Sequence, residues 1–292
     1  MIDRNIVSSP NQRLRYISVN NISVTTFHLG THPMPVHVKH EVRRLTQHEF
    51  SVVAYQVMGT LFEIHEDLGR LFDEGIYQRE LHQHLPELHS EVPIEVTFDA
   101  FSKTYYLDVL FHGAIFELKA VEMLAPRHRS QLLNYLLLTD AEHGKLVNMR
   151  PQRIQHEFVN TGLVRTDRTA FDVHDHNWSD CGAINLKVWL IELLRNLGVG
   201  LDLKFYQEAA LHYCGPAAGV IKVEICGAGG SILGHQEQPL LSPEVALRIS
   251  AIDPDRCVDF EHQLRCFLRH TSLKALQWIN LTRPLVTFKT LS

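Results

Sequence analysis

The sequence predicts an α/β (α+β) protein in which one set of helices and strands occurs twice in tandem. In some segments apolar residues recur at the spacing of a helix, and in others they alternate with polar residues as in a strand. A stretch of the second half can also be laid over the first half at one constant shift, which places Tyr206 on Tyr77. These observations predict two related halves.

The elements of the first half follow in the order helix, helix, three strands, helix, strand. Thr46 and Glu49 form a capping-box pattern that starts a helix running to about Leu68, where Gly69 ends it. A second helix is predicted over residues 72–85. The remaining predictions are strands at 94–98, 105–111, 114–121 and 144–149, and an amphipathic helix at 128–138.

Composition indicates a soluble globular protein with a sizeable core. The chain has 292 residues, of which 45% are hydrophobic and 21% charged, so one large or two ordinary domains are expected. The net charge of −5 is not that of a protein that coats itself in phosphate backbone. It does not exclude an enzyme that acts on nucleic acid, because a metal ion and local arginines can neutralise the phosphates.

The sequence indicates a cytoplasmic location. No apolar run reaches the length of a membrane span, and the first residues lack the apolar stretch of a secretory signal. The cysteines are Cys181, Cys214, Cys226, Cys257 and Cys266. Their number is odd and none forms a C-x-x-C pair, so reduced thiols are expected.

We divide the chain into four parts. Residues 1–48 are an N-terminal extension with short strands and six arginines or lysines against two carboxylates. Residues 49–160 form a first domain, residues 161–182 a polar linker, and residues 183–292 a second, degenerate copy of the first domain. The linker contains Asp172-Val-His-Asp-His176, for which a solvated connector is favoured over a metal-binding tract.

Three charged residues stand out because a tight hairpin would place them on one face of a sheet. His112-Gly113 can form a two-residue turn, which pairs Val109 with Phe116 and sets Asp108 opposite Glu117. Lys119 then lies on the same face as Glu117, because side chains alternate along a strand.

Two readings of this hairpin are open. Its polar face could be solvated, with Lys119 paired to Asp108 or Glu117. Alternatively, since two opposed carboxylates repel each other, a divalent metal ion could hold them together beside the lysine. The near-continuous apolar run around these residues favours the second reading, since charges are rarely buried without a partner or a metal.

Residues 50–150 resemble the GxxExxY family of the PD-(D/E)XK nuclease superfamily. The segments that carry the resemblance are Phe62-Glu-Ile-His65, Glu74-x-x-Tyr77-Gln78-x-x-Leu81, Tyr106-Leu-Asp108, Phe116-Glu-Leu-Lys-Ala-Val121, His128-x-x-Gln131-Leu-Leu-x-Tyr135-Leu136 and Leu146-Val-Asn148. The chain departs from the family pattern at Leu71, which stands where the family has its first glycine.

The resemblance implies a restriction-endonuclease-like fold, with a central mixed sheet flanked by helices, and Mg²⁺-dependent (or Mn²⁺-dependent) hydrolysis of DNA or RNA. It implies that Asp108, Glu117 and Glu74 are metal ligands. Lys119 would orient the attacking water or stabilise the transition state, and Gln131 would face the site from the following helix. For Tyr77, a packing role and a catalytic role are both open. A homodimer is plausible for this fold.

The second copy keeps scaffold residues and loses chemical ones. Leu68-Gly69 matches Leu197-Gly198, whereas Glu74, Glu117 and Lys119 meet Leu203, Arg248 and Ser250. Chance similarity of two amphipathic helices is the alternative to duplication. The sequence therefore predicts a nuclease with its site in the first half. The alternative function is a non-catalytic nucleic-acid-binding or scaffold protein that retains the fold.

Overall fold

The computed structural model describes residues 35–180 and 185–292. In the first half the elements are β1 (Val36–Val38), α1 (Gln47–Leu68), α2 (Glu74–His84), β2 (His89–Phe98), β3 (Phe101–Phe111), β4 (Ala114–Lys119), α3 (Pro126–Thr139), β5 (His143–Asn148) and β6 (Gln155–Asn160). They continue with α4 (Arg165–Thr169), β7 (Asp172–His176), α5 (Leu186–Leu197), α6 (Leu203–Cys214), β8 (Gly219–Cys226), β9 (Ile232–Ser242), β10 (Val245–Ser250), a 3-10 turn (Pro254–Arg256), α7 (Cys257–Arg269), β11 (Ala275–Leu281) and β12 (Leu285–Leu291).

The described residues form two mixed six-stranded sheets, in the orders β1-β2-β3-β4-β5-β6 and β7-β12-β11-β10-β9-β8. In the first sheet β4 and β5 are parallel, and α3 makes the crossover between them. Its other neighbouring strands pair antiparallel. This is the predicted α+β architecture of mixed sheets flanked by helices, and the two sheets agree with the predicted tandem copies.

The first two helices begin where local chemistry satisfies their free N–H groups. Glu49 N–H donates to Thr46 Oγ1 at 3.3 Å, and Thr46 N–H donates to Glu49 Oε2 at 2.8 Å, so the predicted capping box is confirmed. Gly69 ends α1 with a φ of 72°. The second helix begins at Glu74, later than predicted, because Asp73 has the extended backbone of an N-cap residue.

The predicted hairpin is confirmed. Val109 pairs with Phe116 and Phe111 pairs with Ala114, so His112 and Gly113 form the two-residue turn. Both turn residues have positive φ, 49° and 82°, as the preferred hairpin turns require. Continuing this register places the carboxylate of β3 opposite the glutamate of β4.

Helices cover both faces of the first sheet. One apolar cluster joins α1 and α2 to β3 and β4, for example through Leu61, Leu81 and Phe116. The cluster that contains Leu136 of α3 continues into the second half and includes Leu190 of α5. The two halves therefore share one hydrophobic core, and α3 lies inside it.

The second half repeats the element order of the first, and two pairs of hydrogen bonds repeat with it. Tyr77 Oη donates to Gly69 O at 2.8 Å and accepts the N–H of Phe72 at 3.3 Å. At the matching place, Tyr206 Oη donates to Gly198 O at 2.6 Å and accepts the N–H of Leu201 at 3.1 Å. Each tyrosine thus fixes the turn between the first two helices of its half, which supports duplication over chance similarity.

Residues 161–180 contain more regular structure than the polar linker that we expected over 161–182. They contain the short helix α4 and strand β7, and β7 pairs parallel to β12 at the edge of the second sheet. Pairing with β12 explains the difference, because a strand partner satisfies backbone groups that a free connector leaves to water. The strands expected at 15–20 and 22–27, and Cys181, lie outside the described residues.

Two smaller expectations concern cysteines and membranes. The four cysteines within the described residues are free, as Cys214, Cys226, Cys257 and Cys266 form no disulfide there. Among the helices that the structure describes, none is long and apolar enough to cross a membrane.

Candidate active site

The ammonium of Lys119 lies among three carboxylates. Its Nζ is 2.6 Å from Glu117 Oε1, 3.2 Å from Asp108 Oδ2 and 3.5 Å from Glu74 Oε1. Asp108 comes from β3, Glu117 and Lys119 from β4, and Glu74 from the first turn of α2. The hairpin and one helix N-terminus therefore gather four of the five predicted site residues.

Asp108 is held in place by hydrogen bonds as well as by charge. Its Oδ2 accepts the backbone N–H of Leu118 at 2.9 Å in addition to the ammonium of Lys119. The residue is only 7% exposed. A carboxylate that accepts two hydrogen bonds has little freedom to rotate, so this side chain is pre-positioned.

Glu117 is completely buried, with 0% exposure. Among the described residues neither of its carboxylate oxygens has a hydrogen-bond partner, because the nearby ammonium of Lys119 approaches outside hydrogen-bonding geometry. Burial, followed by the charge of Asp108, raises the pKa of Glu117. Glu117 is ion-paired with Lys119 at 2.6 Å, and beyond that pair its oxygens are available to a cation.

The neighbouring charges are shifted for related reasons. Burial, and then the charge of Asp108, raises the pKa of Glu74 to about 7. Burial alone would lower the pKa of Lys119, but the charges of Glu117 and Asp108 outweigh it and raise the pKa above its ordinary value. The amine is therefore a cation at neutral pH in the metal-free site.

Gln131 is not joined to the cluster by a hydrogen bond between described residues. Its Nε2 donates instead to Tyr135 Oη at 2.9 Å, one turn further along α3. Burial is the main cause that raises the pKa of Tyr135 to about 12, and the charges of Glu117 and Asp108 contribute in the same direction. Gln131 is thus bonded to Tyr135, whose hydroxyl senses the charges of the cluster. The hydroxyl of Tyr77 is bonded to the turn after α1.

Two residues near the cluster were not assigned roles from the sequence. Asn148, at the end of β5, accepts the N–H of Val121 at 3.0 Å and donates to its carbonyl at 2.7 Å, which fixes the chain just after Lys119. Arg150 Nε donates to Ala120 O at 3.3 Å. Both residues lie at or just after the end of β5, the strand parallel to β4. This position at a strand end is the sequence signal that could have identified them.

The donor set fits a hard cation. Asp108, Glu117 and Glu74 offer carboxylate oxygens around one point, and the oxygens of Glu117 lack hydrogen-bond donors among the described residues. Over the described ranges, no three His, Cys, Asp or Glu side chains are already arranged as metal ligands. In this geometry the ammonium of Lys119 lies where the three carboxylates converge, so a cation would require that amine to move aside.

The second half has no such cluster at the matching place in the residues that the structure describes. Ser250, which matches Lys119, donates to Asn280 Oδ1 and accepts the indole N–H of Trp278, each at 2.8 Å. Arg248, which matches Glu117, lies 5.8 Å from the centre of the Phe260 ring. A buried indole and a closed hydrogen-bond chain occupy this position.

The raised carboxyl pKa values predict that the metal-free protein loses stability as pH rises from about 5 to 8. A glutamate with a folded-state pKa above its unfolded value binds more protons when folded, so its contribution is present below about pH 4.5 and is lost as pH rises through the folded pKa. Glu117→Gln removes one such group. In urea unfolding with EDTA present, we expect the unfolding free energy of the variant relative to wild type to increase across this range, by on the order of 1–3 kcal/mol.

The matched control is Glu63→Gln, which makes the same change at an exposed position of α1. Histidines titrate in the same range, and burial lowers the pKa of His156 and His128, which gives stability the opposite slope. Only the difference between variant and wild type is therefore interpreted. A difference that does not change between pH 5 and 8 would show that Glu117 is ionised in the folded metal-free protein.

Comparison with known proteins assigns this region to a superfamily. Residues 51–160 match the family model of the PD-(D/E)XK nuclease superfamily, a superfamily whose members typically use divalent metal ions. The GxxExxY grouping within it has no such support. A search of curated proteins finds no match.

Among solved structures, the crystal structure of SSO0001 matches at 22% sequence identity, with a TM-score of 0.24. The match covers 40% of this chain and 61% of that protein, so this chain spans less than two thirds of its length. The family match includes Asp108, Glu117 and Lys119 and every element from α2 to β6. The part of the chain from residue 51 to residue 160 is therefore similar to the PD-(D/E)XK nuclease superfamily.

Proposed function

We propose that this protein is a metal-dependent nuclease that hydrolyses phosphodiester bonds of DNA or RNA at the Lys119 cluster. The observation that carries the proposal is the convergence of three carboxylates on one partly buried ammonium inside the segment that matches a nuclease superfamily. Carboxylates that hold a metal ion, together with an amine, suit phosphodiester hydrolysis, because negative charge develops on the leaving oxygen and on the phosphoryl oxygens.

In this proposal Asp108, Glu117 and Glu74 hold Mg²⁺ or Mn²⁺. When bound, the ion would neutralise phosphate charge and lower the pKa of a coordinated water. Asp108 is fixed by the Leu118 N–H and the other two carboxylates face the same point, so the ligands are already gathered before an ion arrives. The free energy of folding thus offsets the repulsion between the gathered carboxylates.

Lys119 acts in this proposal as a positive charge beside the reacting phosphate. Because its pKa is raised, it is protonated at neutral pH and unsuited to accept a proton from water. Once it has moved aside for the metal ion, this cation would stabilise the charge that develops on the phosphoryl oxygens in the transition state. Gln131 lies further out and contacts Tyr135, so we assign it a positioning role at the border of the site.

The second half is proposed to have lost catalysis and to serve as a platform. Arg248 and Ser250 stand where the first half has Glu117 and Lys119, and the buried indole of Trp278 donates to Ser250. A non-catalytic binding protein is the alternative for the whole chain. It is favoured only if the first half also proves inactive.

The test is cleavage of end-labelled single- and double-stranded DNA and RNA by the full chain. We expect products with Mg²⁺ or Mn²⁺ and none in EDTA, because the three carboxylates cannot act on a phosphate without a cation between them. Products are resolved on denaturing gels, with protein from the Asp108→Asn variant, purified identically, as the control for contaminating nucleases. Absence of cleavage of all four substrates, or equal cleavage by the variant, would contradict the proposal.

A further inference from the structure

A cavity of about 530 Å³ lies between α3 and the turn that joins α5 to α6, and Gln131, one of the predicted site residues, lines it. Its walls come from both halves of the chain. The first half supplies Tyr105, Arg127, Ser130, Gln131, Asn134 and Tyr135, and the second half supplies residues 200–203. The volume is within the range of about 300–1,000 Å³ that small-molecule sites occupy.

The cavity adjoins the proposed catalytic site through two of its wall residues. Gln131 donates to the hydroxyl of Tyr135, and the pKa of that hydroxyl is raised by burial and also by the charges of Glu117 and Asp108. Such an electrostatic effect requires proximity. A molecule that contacts Tyr135 in the cavity would therefore lie within the electrostatic reach of the carboxylate cluster.

Its lining suits a nucleobase. Tyr105 and Tyr135 form an edge-to-face pair with ring centres 6.2 Å apart, which supplies aromatic surface. The hydroxyl oxygen of Tyr105 is buried beside the side chain of Asn134, with no hydrogen bond of ideal geometry among the described residues. A buried hydroxyl without an ideal hydrogen bond is uncommon, and it offers a donor and an acceptor to a ligand that enters.

Charge determines which part of a nucleotide would enter. Asp202 of the second half lines the cavity, and its backbone N–H is held by Asn134 Oδ1 at 2.9 Å. A carboxylate there repels phosphate but accepts hydrogen bonds from base amino groups. Arg127, exposed at the first turn of α3, donates through Nε to His128, and its terminal N–H groups make no hydrogen bond within the described part of the chain, so they could contact a phosphate.

We infer that this cavity binds an unpaired nucleotide next to the scissile phosphate, with its base between the two halves and its phosphate at Arg127. The choice of nucleic acid as the ligand rests on the proposed function. Base binding against a tyrosine ring tolerates any sequence, because every base has an aromatic face. The degenerate half then contributes one wall of a substrate site, which gives it a function without catalytic residues.

The test measures binding of a fluorescein-labelled single-stranded oligonucleotide and of the fully paired duplex by anisotropy, with the full chain in EDTA so that no cleavage occurs. Ser130→Trp fills the cavity without a change of charge, and Arg127→Ala removes the phosphate contact. Both positions are exposed on α3, so the fold should persist. Arg129→Ala removes a neighbouring exposed arginine that does not line the cavity.

We expect Ser130→Trp and Arg127→Ala each to weaken single-strand binding by about tenfold, whereas Arg129→Ala stays within about twofold. Duplex that binds equally well but is also weakened by Ser130→Trp would support the same site, with the base drawn out of the helix. Unchanged affinity in Ser130→Trp, or no binding by wild type, would overturn the inference. Because no cleavage is measured, failure here is distinct from failure of the nuclease proposal.

Discussion

Lys119→Ala should lower metal-dependent cleavage by at least about 100-fold while the protein stays folded. The ammonium is the only cation within hydrogen-bonding distance of Asp108 and Glu117 among the described residues. Its loss would remove the positive charge that stabilises the transition state. It would also leave the three carboxylates without a neighbouring positive charge, so the variant should bind a divalent ion at least as well as wild type.

Asp108→Asn should reduce activity to a similar extent for a different reason. The amide keeps the size of the side chain but removes the negative charge and part of the oxygen donor set. Single-turnover cleavage rates across a Mg²⁺ titration separate the two variants. The aspartate variant should need more metal, whereas the lysine variant should be slow at every concentration.

Lys145→Ala is the matched control, because it removes a half-buried lysine from the neighbouring strand β5 without touching the cluster. Its cleavage rate should be within about threefold of wild type, as expected for a residue that contacts no reacting group. Equal loss of activity in Lys119→Ala and Lys145→Ala would assign the effect to the sheet and not to the site.

Arg168→Met should lower the unfolding free energy by about 2–4 kcal/mol, because it leaves three buried carbonyl oxygens without their hydrogen-bond donor. Arg168 is 1% exposed. Its guanidinium donates to Leu197 O at 3.0 Å and Val199 O at 3.3 Å in the second half, and to Leu137 O at 2.6 Å in the first. Leu137 is in the last turn of α3 and Leu197 ends α5, so one positive charge caps two helix C-termini.

Urea unfolding followed by far-UV circular dichroism measures this loss. Arg168→Lys should lose less, because an ammonium keeps the charge but reaches fewer of the three carbonyls. Arg153→Met makes the same change at an exposed position and should stay within about 0.5 kcal/mol. Equal stability of Arg168→Met and Arg153→Met would contradict this prediction. It would mean that the desolvation penalty of the buried guanidinium is as large as the stabilisation from its hydrogen bonds.

A variant with two unfolding transitions would be equally informative. The core that holds Leu136 and Leu190 joins the halves, and Arg168 adds the polar link across them. We expect wild type to unfold in one transition, since this shared core cannot open in one half alone without exposing apolar surface of the other. Separation into two transitions in Arg168→Met would show how far the two halves depend on that arginine.

The sequence by itself determined the elements that local chemistry specifies. The capping box at Thr46 and Glu49 fixed the start of α1, and His112-Gly113 fixed the turn that aligns β3 with β4. From that turn the alternation of side chains placed Asp108, Glu117 and Lys119 together, because strand geometry has a fixed period. The constant shift between the halves likewise predicted the matching roles of Tyr77 and Tyr206.

Only the tertiary structure decided what depends on contacts between distant segments. Arg168 could not be recognised as a cap of two helices, since its three acceptors are far away in the sequence. The strand formed by 172–176 was missed because its partner β12 is at the end of the chain. The cavity beside Tyr135 likewise needs a wall from each half, and no local pattern carries that information, because packing across the shared core sets which surfaces meet.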